Sequence, residues 1–251
     1  MVNASLRYGT TGASAHGYAE LALMLGPVFH RYHDGTRFGR LACQLVEKEG
    51  FEGFKARVFF CAQKAIAWTE PLTSAIEVIR QAIEVGVVAH DLPYASFSCF
   101  HLITDLLLQG LNLDQLWNEL QRCLDFVSKV KIGNMVIVLI SYQRFILSLR
   151  GQTEAFSSFS DAEFREETFE ASLAADSVEH FAQQLPATQE ARCHYWILKL
   201  QALFILSENI SASRAAEQAK ALLWPAEFPG QTTTHHSYIQ IVDYYYAALT
   251  A

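Results

Sequence analysis

Two histidines and a carboxylate come close together in the segment His30-Arg-Tyr-His33-Asp34. Such a group could begin a metal site, because imidazole nitrogen and carboxylate oxygen both bind zinc. A metal site also needs a complete ligand set in fixed geometry, whereas this segment lies in a glycine-flanked loop between helices. His235 and His236 are adjacent in a predicted helix, where neighbouring side chains are expected to point apart. We therefore predict no metal site.

Nucleophilic and acid–base catalysis also lack a complete set of residues. Ser14 lies in Gly-Ala-Ser-Ala-His-Gly, which is not the G-x-S-x-G turn of hydrolases, so a serine at a helix start is the alternative. Glu166 and Glu167 belong to an acidic stretch where nothing would raise a carboxyl pKa. The sequence has no phosphate-binding loop and no kinase signature. We predict that the chain is not an enzyme and needs no cofactor.

The apolar residues indicate helices, because they recur at intervals of three and four, as in residues 97–107. Residues 135–140 are rich in Val and Ile, but their continuation keeps helical spacing and a lone strand would have no partner. The predicted helices are 12–26, 36–49, 52–69, 72–87, 91–109, 113–130, 132–150, 161–183, 187–206, 210–223 and 234–250.

The helix ends have suitable residues. Asp91 and Asn112 are placed to accept the first unpaired N–H groups of the helices that follow them. Glycine readily takes the left-handed conformation that ends a helix. The glycines predicted at such ends are Gly26, Gly50, Gly86, Gly110 and Gly151.

The first helices of successive pairs begin near residues 12, 52, 91 and 132, a period of about forty that is typical of helix-pair repeats. Small residues recur in the second helices, at Ala42, Ala82 and Cys123, where two helix backbones can cross closely. The pattern predicts an all-α, TPR-like helical-repeat solenoid of about eleven helices in antiparallel pairs. We expect one domain spanning residues 1–251.

The register breaks after Gly151, where residues 152–186 form a predicted acidic insertion. Seven acidic residues lie between Asp161 and Glu179, against Arg165 alone. A solvated acidic helix face is the main interpretation, and a docking site for a basic partner is the alternative.

The last predicted helix, 234–250, is apolar or aromatic nearly all round, although a terminal repeat normally has a polar outer face. We expect that the chain is a fragment of a longer protein or that this helix mediates self-association as a homo-oligomer. The residues of that face are Tyr238, Ile241, Val242, Tyr245 and Leu249.

The composition excludes several classes of protein. A net charge of -7 with scattered basic residues argues against a nucleic-acid surface. Five widely spaced cysteines suggest neither a disulfide framework nor a zinc knuckle and fit a reducing cytoplasm. The longest apolar run is far short of the roughly 20 residues of a membrane span, so we expect no membrane contact.

Binding has better candidates than catalysis, because the first helices of stacked pairs usually line a concave face. Aromatic and polar side chains on these helices could form a groove for a peptide or a small ligand, although some of them must belong to the core. The candidate groove residues are Tyr18, Phe60, Lys64, Trp68, His101, Tyr142, Arg144 and Tyr195.

Several segments resemble the TPR-like region of very large bacterial signalling proteins. Those proteins join a serine/threonine-kinase-like domain, a STAND/AAA-type ATPase, a helical region, a GAF domain and a sensor histidine kinase. The resemblance covers nearly the whole chain and consists of packing and turn patterns rather than a catalytic motif. It includes Ser5-Leu-Arg-Tyr-Gly-Thr-Thr-Gly-Ala-Ser-Ala-His-Gly-Tyr-Ala, His33-Asp-Gly-Thr-Arg-Phe-Gly-Arg-Leu-Ala, Glu52-Gly-Phe-Lys-Ala-Arg-Val, Trp68-Thr-Glu-Pro71, residues 95–99, Leu149-Arg-Gly151 and Tyr195-Trp-Ile-Leu-Lys-Leu-Gln-Ala202.

The resemblance implies a position between an ATPase switch and a sensor kinase, where related ATPases sense an inducer or a partner. This chain has no phosphate loop, kinase loop or phospho-acceptor histidine box, so kinase and ATPase activity are not expected of it. The first hypothesis is a regulatory interaction module that contacts neighbouring domains or a protein partner. The alternatives are a small-molecule sensor domain and, with least support, a stand-alone hydrolase or metal enzyme.

Overall fold

The computed structural model of the protein describes residues 2–48, 50–174 and 188–223, and all regular elements in these ranges are helical. They are eleven α-helices and one 3-10 helix at Glu52–Phe54. The α-helices are α1 (Val2–Tyr8), α2 (Gly12–Leu25), α3 (Tyr32–Val46), α4 (Lys55–Ile66), α5 (Leu72–Val88), α6 (Leu92–Leu108), α7 (Leu113–Val130), α8 (Gly133–Leu149), α9 (Glu166–Ala174), α10 (Gln189–Ile205) and α11 (Asn209–Leu222). The predicted all-α fold is confirmed.

The chain divides into two compact units, Met1–Leu111 and Asn112–Ala251. In the first unit each helix from α2 to α5 packs on the helix that follows it. In addition, α4 contacts both α2 and α6, so these three first helices of the pairs form one layer. The predicted period of about forty residues is also confirmed. The helices α2, α4, α6 and α8 begin at Gly12, Lys55, Leu92 and Gly133.

Small residues allow the helices of the first unit to approach closely. Ala42 on α3 and Ala82 on α5 are completely buried, as the sequence predicted. Gly35 on α3 faces the backbone of α2, and a Cβ built there would lie 2.9 Å from the carbonyl oxygen of Ala22. Gly86 is also a packing residue, because its Cβ would lie 3.0 Å from that of Ala95 on α6. The prediction that Gly86 ends a helix is wrong, since α5 continues to Val88.

In the second unit α8 packs on both α7 and α10, and α10 packs on α11. Residues 135–140 belong to α8 and are helical, as predicted. The core of this unit includes Ile137, Leu139 and Ile146 of α8 and Leu200 of α10, all completely buried.

The helix ends confirm some sequence expectations and correct others. Asn112 caps α7 by accepting from the Asp114 N–H at 2.9 Å. Ser14 belongs to a capping box with Thr11, which explains this serine without catalysis. Asp91 precedes α6 without capping it, because its carboxylate accepts from Arg57 instead. Gly26 has a φ of -70°, so it is not left-handed.

The acidic segment is less solvated than predicted. Asp161 pairs with Arg144 on α8, and Glu166 and Glu170 pair with Lys199 on α10. One face of α9 is therefore held by the buried Lys199, and Arg144 holds the turn before this helix, while Glu163 and Glu167 remain exposed.

One helix was not predicted, and one predicted helix lies outside the described residues. The short helix α1 was not predicted, and its Ser5 hydroxyl donates to the Tyr18 hydroxyl on α2. The predicted helix 234–250 lies outside the described residues, together with its self-association face of Tyr238, Ile241, Val242, Tyr245 and Leu249.

Candidate functional site

Phe60 on α4 is the centre of a group of rings on the layer of α2, α4 and α6. Its ring centroid lies 5.5 Å from that of Tyr94, 6.0 Å from that of Phe97 and 5.2 Å from that of His101, all three on α6. The Lys64 ammonium lies 4.4 Å from the centroid of the Phe60 ring. All five side chains are partly exposed, and we call them the aromatic face.

The helical repeat brings these residues together. Phe60 and Lys64 are four residues apart on α4, so they share one side of that helix. Tyr94, Phe97 and His101 are three and four apart on α6 and form one stripe opposite them. The rings meet edge-on or tilted, which is the arrangement favoured by the aromatic quadrupole.

A second cation borders the aromatic face. The Arg57 guanidinium lies 5.2 Å from the centroid of the Tyr94 ring. Its Nε donates to Asp91 Oδ2 at 2.8 Å, which fixes its position at the junction of α4 and α6. The face therefore combines edge-on and tilted rings with two cationic groups from the same helix.

Three of the predicted groove residues, Phe60, Lys64 and His101, are brought together in this face. Tyr18 is buried and stacks on Phe38 of α3 with 5.9 Å between ring centroids, so it contributes to the core. Trp68 is 49% exposed just after α4 and contacts the ring of Tyr32 at 5.4 Å.

The remaining three predicted groove residues are buried in the second unit. The Tyr142 hydroxyl lies 3.3 Å from His194 Nε2, and complete burial lowers the pKa of His194 to about 3. Tyr195 donates to Glu170 at 2.7 Å, and Arg144 donates to Asp161 at 2.5 Å. In this structure these side chains support the core and α9 rather than an open surface.

A group that the sequence did not predict lies between α2 and α4. His16 Nε2 and Glu20 Oε1 are 3.2 Å apart, and the Cys61 thiol donates to Glu20 Oε1 at 3.4 Å. Within the described ranges it is the one group of three or more His, Cys, Asp or Glu side chains near enough together to hold a metal ion. We call it the thiol cluster. The thiol cluster borders the aromatic face, since the ring centroids of His16 and Tyr94 are 6.4 Å apart.

The sequence contained a signal for two of the three residues of the thiol cluster. His16 and Glu20 are four residues apart on a predicted helix, which places them on one side of it. No spacing rule links them to Cys61, because the pairing of α2 with α4 is a tertiary contact. The HxxH segment that the sequence offered instead is exposed, and its Asp34 pairs with Arg31 at 2.7 Å.

No helix in the described ranges has both the length and the apolar character needed to cross a membrane.

Comparison with known proteins gives a limited result. No protein-family profile matches the chain. The chain is similar to the hybrid signal transduction histidine kinase G of Dictyostelium discoideum, with 26% identity over 153 residues. The match covers 60% of this chain and 4% of that protein, so it relates the chain to a small part of a signalling protein.

Proposed function

We propose that the chain is a non-catalytic regulatory module of a multidomain signal-transduction protein of the histidine kinase or ATPase type, and that it binds a protein segment. The aromatic face is the observation that carries this proposal. Partly exposed aromatic rings beside an arginine are among the residues that protein interfaces favour. The similarity to a hybrid histidine kinase supports the signalling context.

Three buried polar contacts among the described residues support a structural interpretation rather than catalysis. Asp105 is buried against Gln63, and His194 is buried against Tyr142. Lys199 is held between Glu166 and Glu170. These contacts explain the groups as parts of the packing, and their positions match no nucleophile–base arrangement of the kind that hydrolases use.

The chemistry of the aromatic face defines the segment that fits it. Lys64 places a positive charge beside the rings, whereas the charge of Arg57 is already paired with Asp91. Phe60, Tyr94 and Phe97 offer ring edges and faces to an apolar side chain. The matching segment carries an acidic residue beside an aromatic or aliphatic one. A neighbouring domain of the same polypeptide is the proposed source of this segment.

The proposed location is the cytoplasm. All five cysteines lie in the described ranges as thiols rather than disulfides, which fits a reducing compartment.

Reading the gene through both ends of this chain tests the proposed context. The proposal expects coding sequence for an ATPase before the chain and for GAF and histidine kinase domains after it. Stop codons directly on both sides would overturn the multidomain assignment.

The small-molecule sensor is the second candidate, and the same rings favour it because an aromatic groove also suits a planar ligand. A metabolite that binds the folded chain raises its melting temperature according to RT ln(1 + [L]/Kd). A shift that Phe97→Ala abolishes would favour a sensor, and the absence of any shift in a broad set of metabolites would favour the protein segment.

A further inference from the structure

The thiol cluster combines three different donor atoms on two helices that pack against each other. His16 and Glu20 lie one turn apart on α2, and Cys61 faces them from α4. The three donor atoms all lie within 4.8 Å of one another. Imidazole nitrogen, carboxylate oxygen and thiolate sulfur are the three side-chain donors that zinc uses in proteins.

The distances resemble the edges of a zinc coordination tetrahedron. Zinc bonds of about 2.0–2.3 Å at tetrahedral angles place neighbouring donors roughly 3.3–3.6 Å apart. The observed separations are 3.2 Å from His16 Nε2 to Glu20 Oε1 and 3.4 Å from Glu20 Oε1 to Cys61 Sγ. Two of the three edges are therefore already close to the length that a bound ion would require.

The Nε2 atom of His16 lacks a well-aligned hydrogen bond. His16 Nε2 is buried from solvent and has no aligned hydrogen-bond partner among the described residues, although Glu20 Oε1 is 3.2 Å away. A buried polar atom without an aligned partner calls for an explanation, and a bound ion is one such explanation.

We propose that His16, Glu20 and Cys61 form a Zn²⁺ site, with a water molecule as the fourth ligand. One carboxylate and one thiolate supply two negative charges against the dication. The partly open position of Glu20, whose side chain is 50% exposed, gives the ion a path from solvent. Bound zinc would link the first helices of two successive pairs beside the aromatic face.

Binding must remove a proton from the thiol. Burial raises the pKa of Cys61 well above its usual value, with a further contribution from Glu20, so this thiol is protonated near neutral pH. The neighbouring His16 lowers the pKa of Glu20, which is therefore already ionised. Each Zn²⁺ that binds forms one Zn–S bond, breaks the S–H bond and releases one proton to buffer.

Other charged and titratable groups near the thiol come from two helices. Lys64 faces it from α4 itself and lowers the pKa of both Cys61 and Glu20. Tyr94 faces it from α6, where burial raises the pKa of the phenol. Tyr94 therefore remains protonated near neutral pH, and the thiol is the group whose proton is displaced by zinc.

The test is a titration of the metal-free 251-residue chain with ZnCl₂ and with CoCl₂. The expected stoichiometry is one ion per chain, with thiolate-to-cobalt charge-transfer absorption in the Co²⁺ form. Calorimetry in buffers of different ionisation enthalpy should show the release of one proton per ion. The association constant should rise about tenfold per pH unit near neutral pH.

Variants separate this site from adventitious binding. Cys61→Ser should abolish the charge-transfer band, and Glu20→Gln, at a side chain that faces solvent, should weaken zinc binding about tenfold or more. Cys43→Ser on α3 and Glu84→Gln on α5 are the matched controls and should bind as the parent does. The site is refuted if the parent binds no stoichiometric ion, if Glu20→Gln binds zinc as tightly as the parent, or if Cys43→Ser loses binding equally.

Discussion

The side-chain amide of Gln63 on α4 donates to the carboxylate of Asp105 on α6, with 2.5 Å between Nε2 and Oδ2. Both residues are buried, with 2% and 5% of their surfaces exposed. Burial raises the pKa of Asp105 to about 7, although the hydrogen bond from Gln63 opposes this effect. The contact therefore joins two helices of the layer that carries the aromatic face through a carboxyl group that prefers to be neutral.

This raised pKa makes the stability of the fold depend on pH. An aspartate in the unfolded chain has a pKa of about 3.9, so the folded state binds the extra proton between that value and about 7. The stabilisation is complete below about pH 4 and is lost as the pH rises through about 7. Asp105→Asn mimics the neutral form and should exceed the parent in unfolding free energy by about 2–4 kcal/mol at about pH 8, and by little at about pH 4.

Urea unfolding of the two proteins across this pH range measures the effect. The difference between variant and parent isolates Asp105, since carboxyl groups with lowered pKa values, such as Glu20 and Glu70, titrate equally in both. If the unfolding free energies of parent and variant change equally with pH, the pKa of Asp105 is not raised in the folded protein and this account of the contact is wrong.

The Lys199 ammonium holds α9 in place in the second unit. It pairs with Glu166 and Glu170, and the side chains of Lys199 and Glu166 are 10% and 12% exposed. Lys199→Met leaves two carboxylates without their cation, and removal of one partner from a buried pair costs about 3–5 kcal/mol. Lys129→Met, at an exposed position on α7, should change the free energy of unfolding by less than about 0.5 kcal/mol.

Limited proteolysis gives a second measurement of the same contact. The loop that contains exposed Phe156 should be cut faster in Lys199→Met than in the control if α9 detaches. Equal cutting rates and equal unfolding free energies would mean that the pair contributes nothing to the position of α9.

Gly35 on α3 tests the close approach of α2 and α3. Alanine raises intrinsic helix stability by about 1 kcal/mol over glycine, but its Cβ would lie 2.9 Å from the Ala22 carbonyl oxygen. The clash involves backbone, so Gly35→Ala should destabilise the protein by about 1–3 kcal/mol. Gly53→Ala, where no atom lies within 4 Å of the added Cβ, is the control and should be nearly neutral. A thermal melt in which both variants match the parent would contradict the packing.

The helices and their pairing were predictable because they depend on local patterns. Apolar residues at intervals of three and four and capping by Asn112 act within one or two helical turns, and the period of about forty recurs from one helix pair to the next. Small residues such as Ala42 and Ala82 indicated where neighbouring helices cross. These features recur at fixed spacings along the chain, so they can be found in a single sequence.

The candidate site was predictable in part. Phe60, Lys64 and His101 were expected on first helices, and the structure places them together. Tyr18 was not distinguished from them, because the sequence does not show that its ring turns toward α3.

Polar contacts between residues far apart in the chain were the main feature that the sequence did not predict. Asp91 looked like a helix cap until Arg57, on another helix, competed for its carboxylate. The acidic segment looked solvated because its partners Arg144 and Lys199 lie on distant helices. Such pairings depend on which helices meet, and a spacing rule within one helix does not contain that information.

The most direct test of the regulatory assignment uses the complete gene product and measures its histidine autophosphorylation with labelled ATP. Lys64→Glu reverses a charge on the aromatic face, and Lys129→Glu reverses one at an exposed position on α7. We expect Lys64→Glu to change the phosphorylation rate several-fold and Lys129→Glu to leave it unchanged. A rate that is the same in the parent and both variants would contradict a regulatory role for this face.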